Sequence, residues 1–248
     1  MHISLAAETL FHWRGIPITN SFLTSMVATL ILIMLGLGVG LRYKKLPSGL
    51  QHIFEMAYEA FDDLAVGIIG EKGKKYTPLA VTFFLYIIFS NWLSLLPGVG
   101  SLGMKVLEHG EEVFVPFFRG GNADLNTTLA LALVSVGATQ IYGIQASGLV
   151  GHLHHFANPL EIVGELSKIL SFGFRLFGNV FAGEVLLLAG ASMMMLITGK
   201  NLTLYGIPGG IIQTPFLMLE IFVGFIQAFI FSVLTLSFIS VYVQEKMH

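Results

Sequence analysis

The stretch "SFGFRLFGNVFAGE", residues 171–184, places one arginine, Arg175, among phenylalanines, leucines and glycines. Such apolar surroundings are typical of a helix in lipid, whereas an arginine stays charged at any biological pH and carries five N–H donors. Because a charge inside a spanning helix costs about 2.5 kcal/mol or far more, ionisable residues there mark a functional site by default. The stretch therefore predicts a membrane helix that keeps its arginine for a function.

The composition of the whole chain agrees with a membrane location. The chain has 248 residues, of which 54% are hydrophobic and only 11% are charged. This is too little charge to cover a soluble protein of this size, which excludes a soluble globular enzyme. The net charge of -2 points to neither nucleic acid nor an acidic substrate, and the absence of cysteine excludes thiolate metal sites and a cysteine nucleophile.

Apolar segments of about 20 residues, the length needed to cross the hydrocarbon, recur along the chain. They predict an all-α integral membrane protein with a single membrane domain and about five membrane-embedded helices. The expected spans are residues 22–41, 77–97, 124–146, 160–198 and 214–243, with Asp124 as an N-cap. Residues 48–70 mix apolar positions with four acids and indicate an amphipathic helix at the inner surface or a short hairpin.

In the C-terminal half, the sequence predicts a loop, a turn and two helices longer than a membrane span. We expect a loop with solvated histidines at "GLVGHLHHFANP", residues 148–159, and a turn at "GKNLTLYGIPGG", residues 199–210. A helix over 160–198 would be about 58 Å long at 1.5 Å per residue, nearly twice the hydrocarbon thickness. Like 214–243, it must therefore tilt steeply, protrude or break.

Charged loops predict the orientation. Basic groups follow the first span and precede the second, and the loop after the second span carries acids with two basic residues. The basic residues are Arg42, Lys44, Lys45, Lys72, Lys74 and Lys75; the outer loop holds Lys105, Glu108, Glu111, Glu112 and Arg119. Because cytoplasmic loops carry an excess of lysine and arginine, we expect the N-terminus outside and the C-terminus in the cytoplasm.

Polar side chains in the first long helix share one face. At 100° per residue, five of them fall within about 80° of arc: Glu161, Glu165, Lys168, Arg175 and Asn179. The first three are equally compatible with a solvated helix start. Asn179, like Gln227 on the last helix, could instead be interhelical hydrogen-bond glue. For Arg175 the structural alternative is a salt bridge to Glu184 or Glu220.

A second polar group contains Glu184 and Glu220. Glu184 is nine residues beyond Arg175 and is turned about 180° from it, while Glu220 and Gln227 share a face of the last helix. If the two long helices are antiparallel neighbours, Glu184 meets Glu220. Two such carboxylates cannot both ionise cheaply at low dielectric, a property that a proton relay needs. The sequence thus predicts two polar paths with Arg175 between them.

A self-contained secondary transporter is the competing class, with Arg175 as the counter-ion of an anionic substrate. Such transporters are typically built from duplicated halves with broken helices at a midplane site. The sequence shows no internal repeat. It also contains no glycine-rich phosphate loop, so we expect no nucleotide site in this chain.

Several stretches resemble one known family. "RLFGNVFAGE" (175–184) and "FVGFIQAFIF" (222–231) are closely similar to the two signature stretches of subunit a of bacterial F-type ATP synthases. "SNWLSLLPG" (90–98), "NADLNTTLALAL" (122–133) and "NPLEIVGELSK" (158–168) resemble the same family, so the similarity covers most of the chain beyond about residue 45.

The resemblance implies the proton-channel stator of the synthase, with two offset half-channels that load and unload the carboxylates of a rotating c-ring. The implied partners are the c-ring, the peripheral-stalk subunit b, other Fo and F1 subunits and membrane lipid. The implied location is the bacterial plasma (inner) membrane. Neither a cofactor, a metal nor nucleic acid is implied, and the two long helices would lie tilted against the ring.

Residue roles follow from the same resemblance. Arg175 is similar to the essential arginine that faces the ring carboxylates, and Asn179 to the asparagine one turn away. Glu184, Glu220 and Gln227 resemble residues of the outer half-channel. The remaining matches are Asp124 and Asn126, at the polar start of the fourth helix near that inlet, and Glu161, at the mouth of the cytoplasmic half-channel. Some family members carry histidine where Glu220 stands here, so their pH dependence does not transfer.

Overall fold

The computed structural model describes residues 7–44, 49–96, 99, 102–108, 111–155, 158–198 and 202–244. These residues form six α-helices: α1 (Asn20–Leu41), α2 (Leu50–Ile69), α3 (Thr77–Ser94), α4 (Leu125–His155), α5 (Pro159–Thr198) and α6 (Leu202–Gln244). All except α2 contain a stretch long and apolar enough to cross a membrane. The predicted class, an all-α integral membrane protein, is confirmed.

Side-chain caps start three of the helices. The Oγ1 atom of Thr19 accepts a hydrogen bond from the backbone N–H of Phe22 at the start of α1. Asp124 caps α4 as predicted, because its Oδ1 atom accepts from the backbone N–H of Asn126 at 3.0 Å. Asn158 does the same for α5, where Pro159 occupies the first helical position. Each cap satisfies an N–H group that has no partner within its helix.

Two β-hairpins, which the sequence analysis missed, precede α1 and α4. Strand β1 (Thr9–Trp13) pairs with β2 (Ile16–Thr19), and β3 (Gly103–Glu108) pairs with β4 (Glu111–Pro116). The first hairpin turns through Arg14 and Gly15, both at positive φ, which is the backbone that a two-residue hairpin loop requires.

Three expected boundaries are corrected. The α6 helix begins at Leu202, so the expected turn at 199–210 is helical from that residue, because membrane helices tolerate proline and glycine; the span expected at 214–243 lies within α6. The expected loop at 148–159 is helical up to His155, with the break confined to Gly148 at φ 79° and ψ 162°. Residues 50–69 form one helix, so the hairpin alternative for 48–70 is wrong.

The chain divides into two compact units. Unit one comprises Met1–Met26, Ile88–Thr128 and Phe174–Gln227, and unit two comprises Val27–Ile87, Leu129–Gly173 and Ala228–His248. Unit one contains both hairpins and buries several asparagines. Unit two has an aromatic core, with ring contacts that join Phe61 to Phe84 and Phe229, and Phe172 to Phe231.

Candidate functional site

An ion pair in unit one holds Glu184. The Nη2 atom of Arg119, between β4 and α4, donates to Oε2 of Glu184 at 3.4 Å, and the two side chains are only 11% and 22% exposed. A Cβ atom on the neighbouring Gly120 would lie 3.3 Å from Oε1 of Glu184, so the carboxylate packs closely against this glycine. The sequence analysis assigned Arg119 to an outer loop and missed this contact, since nothing in the sequence relates positions 119 and 184.

Glu220 lies next to Gly183, the residue before Glu184. Its Oε1 atom occupies the space that a side chain on Gly183 would need. Its Oε2 atom is buried and has no hydrogen-bond partner among the described residues. The two carboxylates interact electrostatically, so unit one gathers the two acids that were expected to meet.

A small cavity adjoins Glu220. Its volume is about 10 Å³, close to the space that one water molecule needs. The lining residues are Asn91, Ser94, Asn179, Val180, Glu220, Val223, Gly224 and Gln227. The structure thus brings the predicted residues Asn179 and Gln227 together with Glu220.

Asn91 is a polar residue of this cavity that the sequence analysis missed. Its Nδ2 atom donates to the carbonyl of Gly224 at 3.1 Å, and its Oδ1 atom accepts from Nδ2 of Asn122 at 2.7 Å. It lies in "SNWLSLLPG", a stretch singled out only for its resemblance. Within the described part of the chain, Oγ of Ser90 and Oδ1 of Asn122 are buried without a partner. Unpaired buried atoms of this kind are ordinarily satisfied by water.

Asp124 and Asn126 stand apart from the cavity lining. Asp124 is buried and accepts hydrogen bonds from both the backbone N–H and the side-chain amide of Asn126, which is itself exposed. In the described structure, their contacts with each other stabilise the first turn of α4.

Arg175 lies at the exposed surface of unit one. The preceding Phe174 is 53% exposed, whereas the following Leu176 is 1% exposed. Among the described residues, the ion pairs on α5 join Arg119 to Glu184 and Lys168 to Glu165, and neither involves Arg175. The structural alternative, a salt bridge from Arg175 to Glu184 or Glu220, is therefore not found in the described residues.

Unit two contains a polar cluster around Glu165, which is 7% exposed. Its carboxylate accepts hydrogen bonds from Nζ of Lys168 at 2.5 Å, Nε2 of Gln140 at 2.8 Å and the hydroxyl of Tyr242 at 2.7 Å. These partners come from α4, α5 and α6, so the cluster joins three helices. The alternative of a solvated helix start is wrong for Glu165.

His152 belongs to the same cluster, contrary to the expected solvated loop. It is 4% exposed, and its Nε2 atom lies 2.7 Å from Oε1 of Gln140. Because the amide nitrogen of Gln140 donates to Glu165, its oxygen accepts, and this assigns a hydrogen to Nε2 of His152. A Cβ on Gly143 would come within 3 Å of the His152 ring, so glycine at that position makes room for the histidine.

The residues of the predicted polar stripe therefore differ in burial. Glu165 is buried among helices, Glu161 and Lys168 are half-buried, and Arg175 is exposed. Glu161 precedes Glu165 by one helical turn.

A cleft of about 580 Å³ is lined by residues of the segment 71–76, which precedes α3, by Gln145 and Ala146 of α4, and by Val243 of α6. Nζ of Lys75 donates to Oε1 of Gln145 at 2.8 Å and lies over the rings of Tyr76 and Tyr142. Burial raises the pKa of Tyr76. Nearby, the hydrogen bond that the exposed Lys74 donates to Glu71 and the charge of that carboxylate raise the pKa of Lys74.

Comparisons with known proteins agree on one family. The profile of the family described as ATP synthase A chain matches residues 22–240. A protein named ATP synthase subunit a from Moorella thermoacetica is 32% identical over 243 residues, which cover 94% of this chain and 95% of that relative. The proteins of the same name from Desulforamulus reducens and Helicobacter pylori are 34% and 30% identical. Their alignments cover 78% and 87% of this chain, and 67% and 87% of the respective relative.

Proposed function

The chain belongs to the family of ATP synthase subunit a, the proton-translocating membrane component of F-type ATP synthases, and we propose that it provides two offset half-channels for protons. These half-channels load and unload the carboxylates of a rotating c-ring. As a subunit a, the chain is a multi-pass membrane protein that works with other ATP synthase subunits, and it is not the nucleotide-binding catalytic subunit.

The observation that carries the proposal is the exposed position of Arg175 in a helix able to span a membrane. A permanent charge at such a surface needs a partner, and the described residues supply no ion pair for it. A ring carboxylate that passes Arg175 is that partner. Because arginine does not deprotonate, it blocks direct proton transfer between the two half-channels and forces protons to travel with the rotor. Each proton that crosses 100 mV supplies about 2.3 kcal/mol.

The outer half-channel runs past Glu184 and Glu220 and along Asn179 and Gln227. The cavity lined by three of these residues and the unpaired Oε2 atom of Glu220 support this path. Water in the cavity would connect the carboxyl groups to the arriving proton. Asp124 and Asn126 contribute by holding the start of α4, the helix that follows the Arg119 loop.

The cytoplasmic half-channel opens at Glu161. This half-buried acid lies one helical turn before Glu165, whose carboxylate accepts hydrogen bonds from three donors. In this arrangement the N-terminus lies outside, the C-terminus lies in the cytoplasm of a bacterium, and subunit b supports the stator. The basic residues after α1 and before α3 favour that orientation.

ATP-driven acidification of inverted membrane vesicles tests the role of Arg175. We expect Arg175→Gln to assemble into the complex, as judged on a native gel, and to lose proton pumping. Arg42→Gln, the same change at an exposed position at the end of α1, is the matched control and should pump normally. Normal pumping by assembled Arg175→Gln would make the arginine structural and would refute the proposal.

A further inference from the structure

Arg119 is a largely shielded cation, with its side chain 11% exposed, that lies outside the residues of the proposed proton path. Resting on the proposed function, we propose that Arg119 is a positioning residue of the outer half-channel: it holds Glu184 in place and leaves Glu220 as the carboxyl group that exchanges the proton.

The loop that carries Arg119 is fixed against its neighbours in unit one. The backbone N–H of Arg119 donates to Oγ1 of Thr24 at 3.2 Å. A Cβ on Gly120 would meet the Cβ atom of Ser94 at 3.0 Å, and one on Gly121 would overlap the hydroxyl of Ser25. Two consecutive glycines thus let the backbone approach closely, so the guanidinium group starts from a defined position. A cation held in this way can orient a carboxylate.

The two acids of the cluster differ in what their oxygens contact. One oxygen of Glu184 accepts a hydrogen bond from the guanidinium group. The Oε2 atom of Glu220 is buried without a hydrogen-bond partner among the described residues, and Glu220 lines the cavity that is large enough for about one water. A group that exchanges protons needs an unpaired oxygen within reach of water, and Glu220, which lines the cavity, meets that requirement better than Glu184, which does not line it.

Charge balance gives Arg119 its effect. With Arg119 and an ionised Glu184 present, the net charge of Arg119, Glu184 and Glu220 is zero when Glu220 carries a proton. The net charge is -1 when Glu220 has lost its proton. Without the arginine, the same two states bear one and two negative charges. Because uncompensated charge is costly in a low-dielectric site, Arg119 makes the exchange of a single proton less costly.

A double-mutant cycle on the assembled synthase tests this inference. Proton pumping per assembled complex would be measured in inverted vesicles for Arg119→Gln, Arg119→Lys, Glu184→Gln and the double variant Arg119→Gln/Glu184→Gln. We expect Arg119→Gln to reduce pumping about tenfold and Arg119→Lys, which keeps the charge, to recover most of the loss. The double variant should pump no worse than the poorer single variant. Each single change leaves one charge of the Arg119–Glu184 pair without its partner, and the double change removes both charges.

Three results would overturn the inference: normal pumping by Arg119→Gln, no recovery in Arg119→Lys, or losses that multiply in the double variant. If Arg119→Gln does not assemble, assembly of the double variant decides: restored assembly supports the charge pairing, and failure to assemble contradicts it. The proposed function is tested separately, since normal pumping by Arg175→Gln would refute it. If the pumping losses of Arg119→Gln and Glu184→Gln multiply in the double variant while Arg175→Gln is inactive, this inference fails and the proposed function stands.

Discussion

The Glu165 cluster gives a quantitative prediction. Lys168→Met removes the ion-pair partner of Glu165 but keeps an unbranched side chain of similar length. Breaking a buried ion pair by removing one partner costs about 3–5 kcal/mol. The side chains of Lys168 and Glu165 are 24% and 10% exposed, and two donors remain on the carboxylate. We therefore expect a smaller loss, about 2 kcal/mol.

Thermal stability of the assembled complex in detergent is the assay. For a chain of this size, a loss of about 2 kcal/mol corresponds to a fall of roughly 4–8 °C in the midpoint of heat-induced aggregation. The double variant Glu165→Gln/Lys168→Met should recover most of that fall, because it removes both charges and keeps a hydrogen-bond acceptor for Tyr242. Lys72→Met, a change at an exposed lysine, is the matched control and should leave the midpoint unchanged.

Two outcomes would refute the reasoning. A midpoint for Lys168→Met equal to that of the wild type would show that the charge of Glu165 needs no compensation. A double variant as unstable as Lys168→Met would show that packing of the lysine stem, not its charge, carries the effect.

Two further predictions concern unit one. Gly183→Ala should strongly reduce proton pumping, because the new methyl group overlaps Oε1 of Glu220. Gly137→Ala on α4, with nothing within 4 Å of its added Cβ, should pump normally and so provides the control. Equal activity of the two variants would contradict the close approach. Asp124→Ala should lower the stability of the complex by about 1 kcal/mol, measured as a lower aggregation midpoint, because it removes the cap of α4, whereas Asp124→Asn should keep most of it. Equal losses from both changes would argue against capping.

Much of the fold was predictable because lipid imposes a simple rule on sequence. A span must be long and apolar, so the membrane helices stand out, and the all-α class is confirmed. The hairpins were missed because they lie outside the spans and carry charges. In the second hairpin, apolar residues alternate with other residues, as is typical of strands: Met104 and Val106 in β3, and Val113 and Val115 in β4. The expected turn at 199–210 is instead helical from Leu202, because membrane helices tolerate proline and glycine residues that break helices in water.

The sequence by itself determined the membrane class, the isolated arginine and the angular spacing of polar residues along each helix. The polar residues of α5 spread over about 80° of arc, and only the tertiary structure decided which edge of this arc is buried. Glu165 lies at one edge, buried among three helices, and Arg175 lies at the other edge, exposed. It also paired Arg119 with Glu184, 65 positions apart. The physical reason is that helical periodicity sets angles between side chains within a helix, whereas the direction in which each face points is set by packing against other helices.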